Sequence, residues 1–176
     1  MPSIQDLRKA FRAIPAEGNV NLAGYDPAAT PMAASKSDAK AELVDELHEQ
    51  LFDQHELLYA EDERSVLLVL QGLDCSGKNG TIKHVVIALN PVAVRTASFK
   101  SPTDEELDHH FLWRHKQALP APGELGVFDR SHYEDIIVPS VLGTIEPDAI
   151  SSRIDEVNQF EADLVDGGTT IIKCLL

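Results

Sequence analysis

Cysteine is nearly missing from this 176-residue chain: Cys75 and Cys174 are the two present, and their spacing makes no metal site. A disulfide scaffold is therefore excluded, and a reducing compartment is expected. Positive charge is also scarce. Lys and Arg total 15 against 29 Asp and Glu, for a formal net charge of −14. Such a surface argues against general binding to nucleic acid or to anionic membranes. No apolar run is long enough to span a bilayer, and Met1-Pro2-Ser3-Ile4-Gln5-Asp6 lacks a secretory hydrophobic region, so the expected location is cytoplasmic. Internal repeats and low-complexity tracts are absent too. What remains, 43% hydrophobic and 25% charged, is the composition of an ordinary globular chain, long enough to build a core without staples.

The informative stretch is Gly72-Leu73-Asp74-Cys75-Ser76-Gly77-Lys78-Asn79-Gly80-Thr81. It follows Ser65-Val66-Leu67-Leu68-Val69-Leu70-Gln71, a continuous apolar run suited to a strand buried on both faces. It precedes Ile82 to Leu89, where apolar residues recur at helical spacing. A Gly-x4-Gly-Lys loop between strand and helix is a phosphate cradle. Gly72 and Gly77 let backbone N–H groups converge, the helix start contributes unpaired N–H groups and a positive dipole end, and Lys78 adds a full charge. The position that normally carries a Mg²⁺-binding hydroxyl is Asn79, with no hydroxyl until Thr81. Asp74, inside the loop, is the expected compensation, since a carboxylate suits Mg²⁺. Charge is distributed to match. Between Gly72 and Arg130 the cations Lys78, Lys83, Arg95, Lys100, Arg114, Lys116 and Arg130 balance the acids one for one, so the negative surplus lies elsewhere.

Residues 1–35, with Pro15, Gly18, Gly24, Pro27 and Pro31, read as an extended arm with a short helix over 6–14; residues 36–176 read as the core. A helix is expected from Lys36 to Tyr59, with Leu43, Val44, Leu47, Leu51 and Leu58 on its stripe and His48 and His55 as solvated face residues. Val92 to Phe99 is expected as a second strand. Thr103 and Glu106 form a capping box opening one helix that carries Leu107, Phe111, Leu112 and Leu119 to Pro120. On it His109, His110 and His115 are read as exposed or hydrogen-bonded in the core. Arg114 is read either as packing or as an arginine near a ligand. Gly126 to Asp129 is a short third strand ending in an acid, at the strand end where parallel sheets bind ligands. Ser131 to Glu134 reads as another capping box, with a helix through Val141; Glu134 is read as capping or, alternatively, as handling metal or phosphate. Pro147 starts a helix with Ile150, Ile154, Val157, Phe160 and Leu164 on one face, closed by Gly167-Gly168, and Thr169 to Leu176 is a fourth strand. Strands alternating with helices predict an α/β three-layer sandwich around a parallel sheet.

Three blocks together resemble the polyphosphate kinase type 2 family: Gln71 to His84, Phe99 to Leu107 with Phe111-Leu112-Trp113-Arg114, and Gly126-Val127-Phe128-Asp129-Arg130-Ser131-His132-Tyr133-Glu134-Asp135. Their wording is closest to the branch that uses AMP as well as ADP. The resemblance implies a P-loop NTPase-like, thymidylate-kinase-like fold and transfer of the terminal phosphoryl of inorganic polyphosphate to adenine nucleotides, with Mg²⁺. Asp74 and Asp129 would hold the metal and orient the acceptor. Lys78 and Arg130 would neutralise the transferring group. Phosphate contacts would come from Gly72, Cys75, Ser76, Gly77, Asn79, Gly80 and Thr81, with Lys83, Lys100 and Arg114 along the polyphosphate path. Exposed apolar residues and unpaired backbone groups on the last strand, Thr170 to Leu176, lead to an expected homo-oligomer. Members continue past the fourth strand into a basic lid, so the expectation is a chain with its C-terminal part missing that binds phosphates and transfers them slowly.

Overall fold

The computed structural model describes residues 4–12, 20–26, 29, 33, 35–40 and 44–176. Two compact units divide the chain, Met1–Gln50 and Leu51–Leu176. In the first, α1 covers Ile4–Phe11, a 3-10 turn Leu22–Gly24 and a one-turn α2 Lys36–Ala39. Pro15, Gly18, Pro27, Pro31 and Leu43, and the end of the expected first helix, lie outside the described residues. The helix expected from Lys36 to Tyr59 is therefore seen as α2 and a longer α3, Asp45–Glu61.

The second unit holds the sheet. Its strands are β1 Ser65–Gln71, β2 Val94–Ser98, β3 Leu125–Asp129 and β4 Thr169–Leu175. They run parallel in the order β2-β3-β1-β4. Central β1 and β3 are buried almost throughout, whereas the flanking strands β2 and β4 mix half-buried and exposed residues and have no fully buried one. The β1 pleat separates two cores. Leu68 and Leu70 pack with Leu89, Leu125, Val127 and the helix α4 (Lys78–Val86) on one face; Leu67 and Val69 pack with Phe99 and Phe128 on the other. Beyond the second face a further cluster joins Leu112 and Ile136 to Val157 and Phe160 of α8 (Pro147–Asp166). Helices cover both faces, and the sandwich has the three expected layers.

Local departures have physical causes. Pro91–Ala93 is a 3-10 turn capped by the Asn90 side chain, so β2 begins at Val94 rather than Val92. The Thr103–Glu106 capping box is present, but it opens only α5 (Asp104–Leu107); a turn intervenes before α6 (Trp113–Gln117). That turn is closed by the Leu112 N–H donating to His110 Nδ1. It leaves Leu107 exposed while Leu112 enters the core and Arg114 and His115 reach inward. The second expected capping box does not form. Helix α7 (Glu134–Leu142) has no side-chain cap, because Glu134 accepts from Gln71 Nε2 at 2.6 Å and Ser131 Oγ donates to Gln71 Oε1 at 3.2 Å. His55, expected in solvent, is 2% exposed and bonds the Ala93 carbonyl through Nε2. Lying between Leu51 and Leu58 at helical spacing, it belongs to their stripe. Ile154, placed on the buried stripe of α8, is exposed, and Glu161 is buried instead.

Candidate active site

Pairing β1 directly with β3 puts the loop after Gln71 beside the end of β3, at the carboxyl edge of the sheet. The Arg130 N–H continues the ladder to the Leu70 carbonyl at 3.1 Å. Arg130 itself has φ 63°, a left-handed conformation unusual for a non-glycine residue. Its guanidinium turns to the loop and donates through Nη2 to Asp74 Oδ1 at 2.7 Å. Residues 56 positions apart are thus joined across the site.

The loop is built around glycine. A Cβ on Gly72 would run into the Leu176 carbonyl oxygen and lie 2.7 Å from Ser76 Oγ. Gly77, at φ 101°, caps α4 with no side chain, leaving the N–H groups of the helix start without a side-chain acceptor at the cap. Cys75 is exposed, with φ 66°. Ser76 Oγ is buried without a hydrogen-bond partner, a polar atom that ligand oxygens could satisfy. Asn79 and Gly80 are exposed in the first turn of α4. The Thr81 hydroxyl is turned back on the Gly77 carbonyl, 3.3 Å away.

Lys78 is buried, with only 8% of its surface exposed. Its Nζ donates to the Gly72 and Leu73 carbonyls at 2.9 and 2.8 Å. Carbonyls pointing inward from a tight loop need donors, and the ammonium group supplies them. The loop therefore holds its own cation.

Asp129 accepts from Ser98 Oγ through Oδ2 at 3.1 Å, while Oδ1 is buried and unpartnered. With the exposed Asp74 carboxylate, this donor set fits Mg²⁺, which typically takes one or two carboxylates, waters and substrate phosphates. Among the described residues no group of three or more His, Cys, Asp or Glu gathers into a metal cluster.

Alongside Arg130 opens a cleft of about 560 Å³ whose cationic lining is Lys100, Arg114, Arg130 and Arg153. Apolar walls come from Phe99, Pro102, Phe111 and Val138, and acids from Glu106, Glu134 and Asp135. Arg114 lines this cleft from within an ion pair: it grips Asp135 through Nη2 at 2.9 and 3.1 Å and donates to the Lys100 carbonyl at 2.8 Å, at 7% side-chain exposure. His115 Nε2 shares Asp135 at 2.9 Å. Burial pushes the His115 pKa down against the opposing Asp135 hydrogen bond; burial also opposes Asp135 ionisation, but the His115 and Arg114 hydrogen bonds outweigh it and lower its pKa. Lys83 is exposed on α4 and does not line this cleft. Gln71, Asp135 and Arg153 were not singled out from sequence. A signal existed for the last: Arg153 is a charge set between Ile150 and Val157 on an otherwise apolar stripe.

Comparison with known proteins places the fold in a family. The family model described as Polyphosphate kinase 2 (PPK2) matches residues 33–176. The chain is 41% identical over 168 residues to the AMP/ADP-polyphosphate phosphotransferase of Meiothermus ruber, covering 96% of this chain and 62% of that protein. It is 35% identical over 184 residues to the ADP-polyphosphate phosphotransferase of Rhodopseudomonas palustris, with the same coverages of 96% and 62%. The crystal structure of Polyphosphate Kinase 2 from Arthrobacter aurescens TC1 superposes with a TM-score of 0.85 at 42% identity, over 89% of this chain and 56% of that one. The chain thus spans less than two thirds of the length of these relatives. It belongs to the polyphosphate kinase 2 family.

Proposed function

We propose that the protein transfers the terminal phosphoryl group of inorganic polyphosphate to AMP or ADP, reversibly and with Mg²⁺. The observation that carries this reading is the convergence of the glycine loop, Lys78, Asp129 and Arg130 at the carboxyl ends of adjacent parallel strands. Family membership supports the donor, and the printed names of the relatives support the acceptor.

Phosphoryl transfer needs positioning and charge neutralisation more than covalent chemistry. The α4 N-terminus and loop amides would hold polyphosphate oxygens. Lys78 would leave the Gly72 and Leu73 carbonyls for the transferring phosphate, and Arg130 would leave Asp74 for the same group. Asp74 and Asp129 would hold Mg²⁺, which when bound supplies charge neutralisation across the phosphate oxygens. The cleft beside Arg130, cationic on one side and apolar on the other, suits an acceptor nucleotide, with its phosphate near Arg130.

The test is an assay of AMP and ADP phosphorylation with polyphosphate and Mg²⁺, run beside one with ATP as donor. Polyphosphate-dependent formation of ADP or ATP that is abolished in Asp129→Asn is expected. Turnover with ATP and none with polyphosphate would overturn the reading.

A further inference from the structure

The four cations of the cleft are not equally free. Arg114 is held by Asp135 in two hydrogen bonds and lies 3.7 Å from Glu106. Arg130 is paired with Asp74. Neither has charge to spare before a ligand enters. Arg153 differs: among the described residues its guanidinium has no carboxylate partner. It donates through Nη1 to the Asp135 backbone carbonyl and lies over the Phe111 ring, 4.8 Å from the centroid. A guanidinium carries five N–H donors in a planar fork, so most of that capacity is unspent. The two contacts also fix its plane, which reduces the entropy lost when an anion docks. Asp135 contributes twice, neutralising Arg114 with its carboxylate and anchoring Arg153 with its carbonyl.

We infer that Arg153, presented by α8, is a phosphate-contacting residue of this cleft, acting with Lys100, while Arg114 serves to frame them. The inference rests on the proposed phosphotransfer reading and adds to it a binding residue from a helix outside the loop and the β3 end. The chemistry recognised is a phosphate group, whether of the nucleotide or of the inorganic chain.

Isothermal titration of the whole chain with AMP, with adenosine and with tripolyphosphate tests it, comparing the parent, Arg153→Gln and Arg153→Lys. A lost charge-assisted contact predicts about a tenfold or greater loss of affinity in Arg153→Gln for AMP or for tripolyphosphate, with adenosine unaffected. Whichever phosphate ligand weakens identifies the substrate that Arg153 serves. Arg153→Lys, which keeps the charge but not the fork, should weaken binding less. It also decides the matter if the Gln variant fails to fold: Lys-variant affinity equal to the parent's for both phosphate ligands then overturns the inference. So does unchanged affinity in a folded Gln variant, or a loss that adenosine shares equally. A parent that binds none of the three ligands would instead strike at the phosphotransfer reading itself.

Discussion

Arg130 Nη2 lies 2.7 Å from Asp74 Oδ1, so the cation expected to receive phosphate and a carboxylate expected to receive metal are partners of each other. The pair is uneven, with Asp74 83% exposed and Arg130 35%. An exposed ion pair is worth at most about 1 kcal/mol, weak enough for ligands to break. Metal at Asp74 would release Arg130, and anion at Arg130 would release Asp74.

Breaking the pair by mutation should therefore free the arginine. In EDTA, Asp74→Asn is expected to bind tripolyphosphate about two- to fivefold more tightly than the parent, the range an exposed pair permits. Added Mg²⁺ should improve binding by the parent and leave the variant nearly unchanged. Titrations with and without metal check both arms, and weaker metal-free binding by the variant would contradict the antagonism.

Lys78 has a structural task beside the phosphate-binding one proposed for it. Because its ammonium group satisfies the Gly72 and Leu73 carbonyls at 8% exposure, Lys78→Met should lower stability by about 1–3 kcal/mol as well as weaken phosphate binding. Urea unfolding of the ligand-free protein measures the first effect. An unchanged midpoint would mean that the loop does not need its lysine to stay folded.

The loop glycines should rank by surroundings. Gly72→Ala meets the Leu176 carbonyl and Ser76 Oγ and should be the most damaging. Gly77→Ala has open space but a left-handed φ of 101°, costing about 1 kcal/mol or somewhat more. Gly80→Ala meets nothing, lies in helix, and should be neutral or slightly stabilising. Thermal melts of the three variants test the order.

Acid should unfold the protein in two stages. Burial lowers the His115 pKa, so the unfolded chain takes up that proton more readily, and stability falls as pH drops below about 6.5. For Glu161, burial opposes ionisation, but hydrogen bonds from His132, Lys173 and Tyr133 outweigh it and bring the pKa to about 2. A carboxylate lowered this way contributes its full stability above the unfolded value near 4.5 and loses it as pH falls toward 2, a loss on the order of 3 kcal/mol. Melting Glu161→Gln across pH should show a lower plateau at neutral pH and a flattened lower stage. A lower stage as steep as the parent's would assign it to other groups.

Much of this protein was legible in the chain itself, because the signals are local. β1, the glycine loop, the start of α8 and the Thr103–Glu106 cap follow from neighbours in sequence: apolar run, turn residue, helical period, cap spacing. Order along the chain also implied a parallel sheet, since short connections through helices leave few alternatives. Where local signals competed, the reading failed. Ser131 to Glu134 has capping-box spacing, yet Glu134 is drawn to Gln71, 63 residues away, whose amide can satisfy Glu134 and Ser131 together.

By itself, then, the sequence determined most of the elements, the glycine loop between β1 and α4, and the acid at the end of β3. Only the tertiary structure decided which charges are free. Setting β1 against β3 brings Arg130 to Asp74, packing the loop on itself draws Lys78 onto its own carbonyls, and folding α8 over α7 leaves Arg153 as the cleft guanidinium without an acid among the described residues. The physical reason is that the availability of a charge depends on its partners. Those partners are brought within hydrogen-bond reach by strand order and helix packing, over separations at which no local pattern carries information.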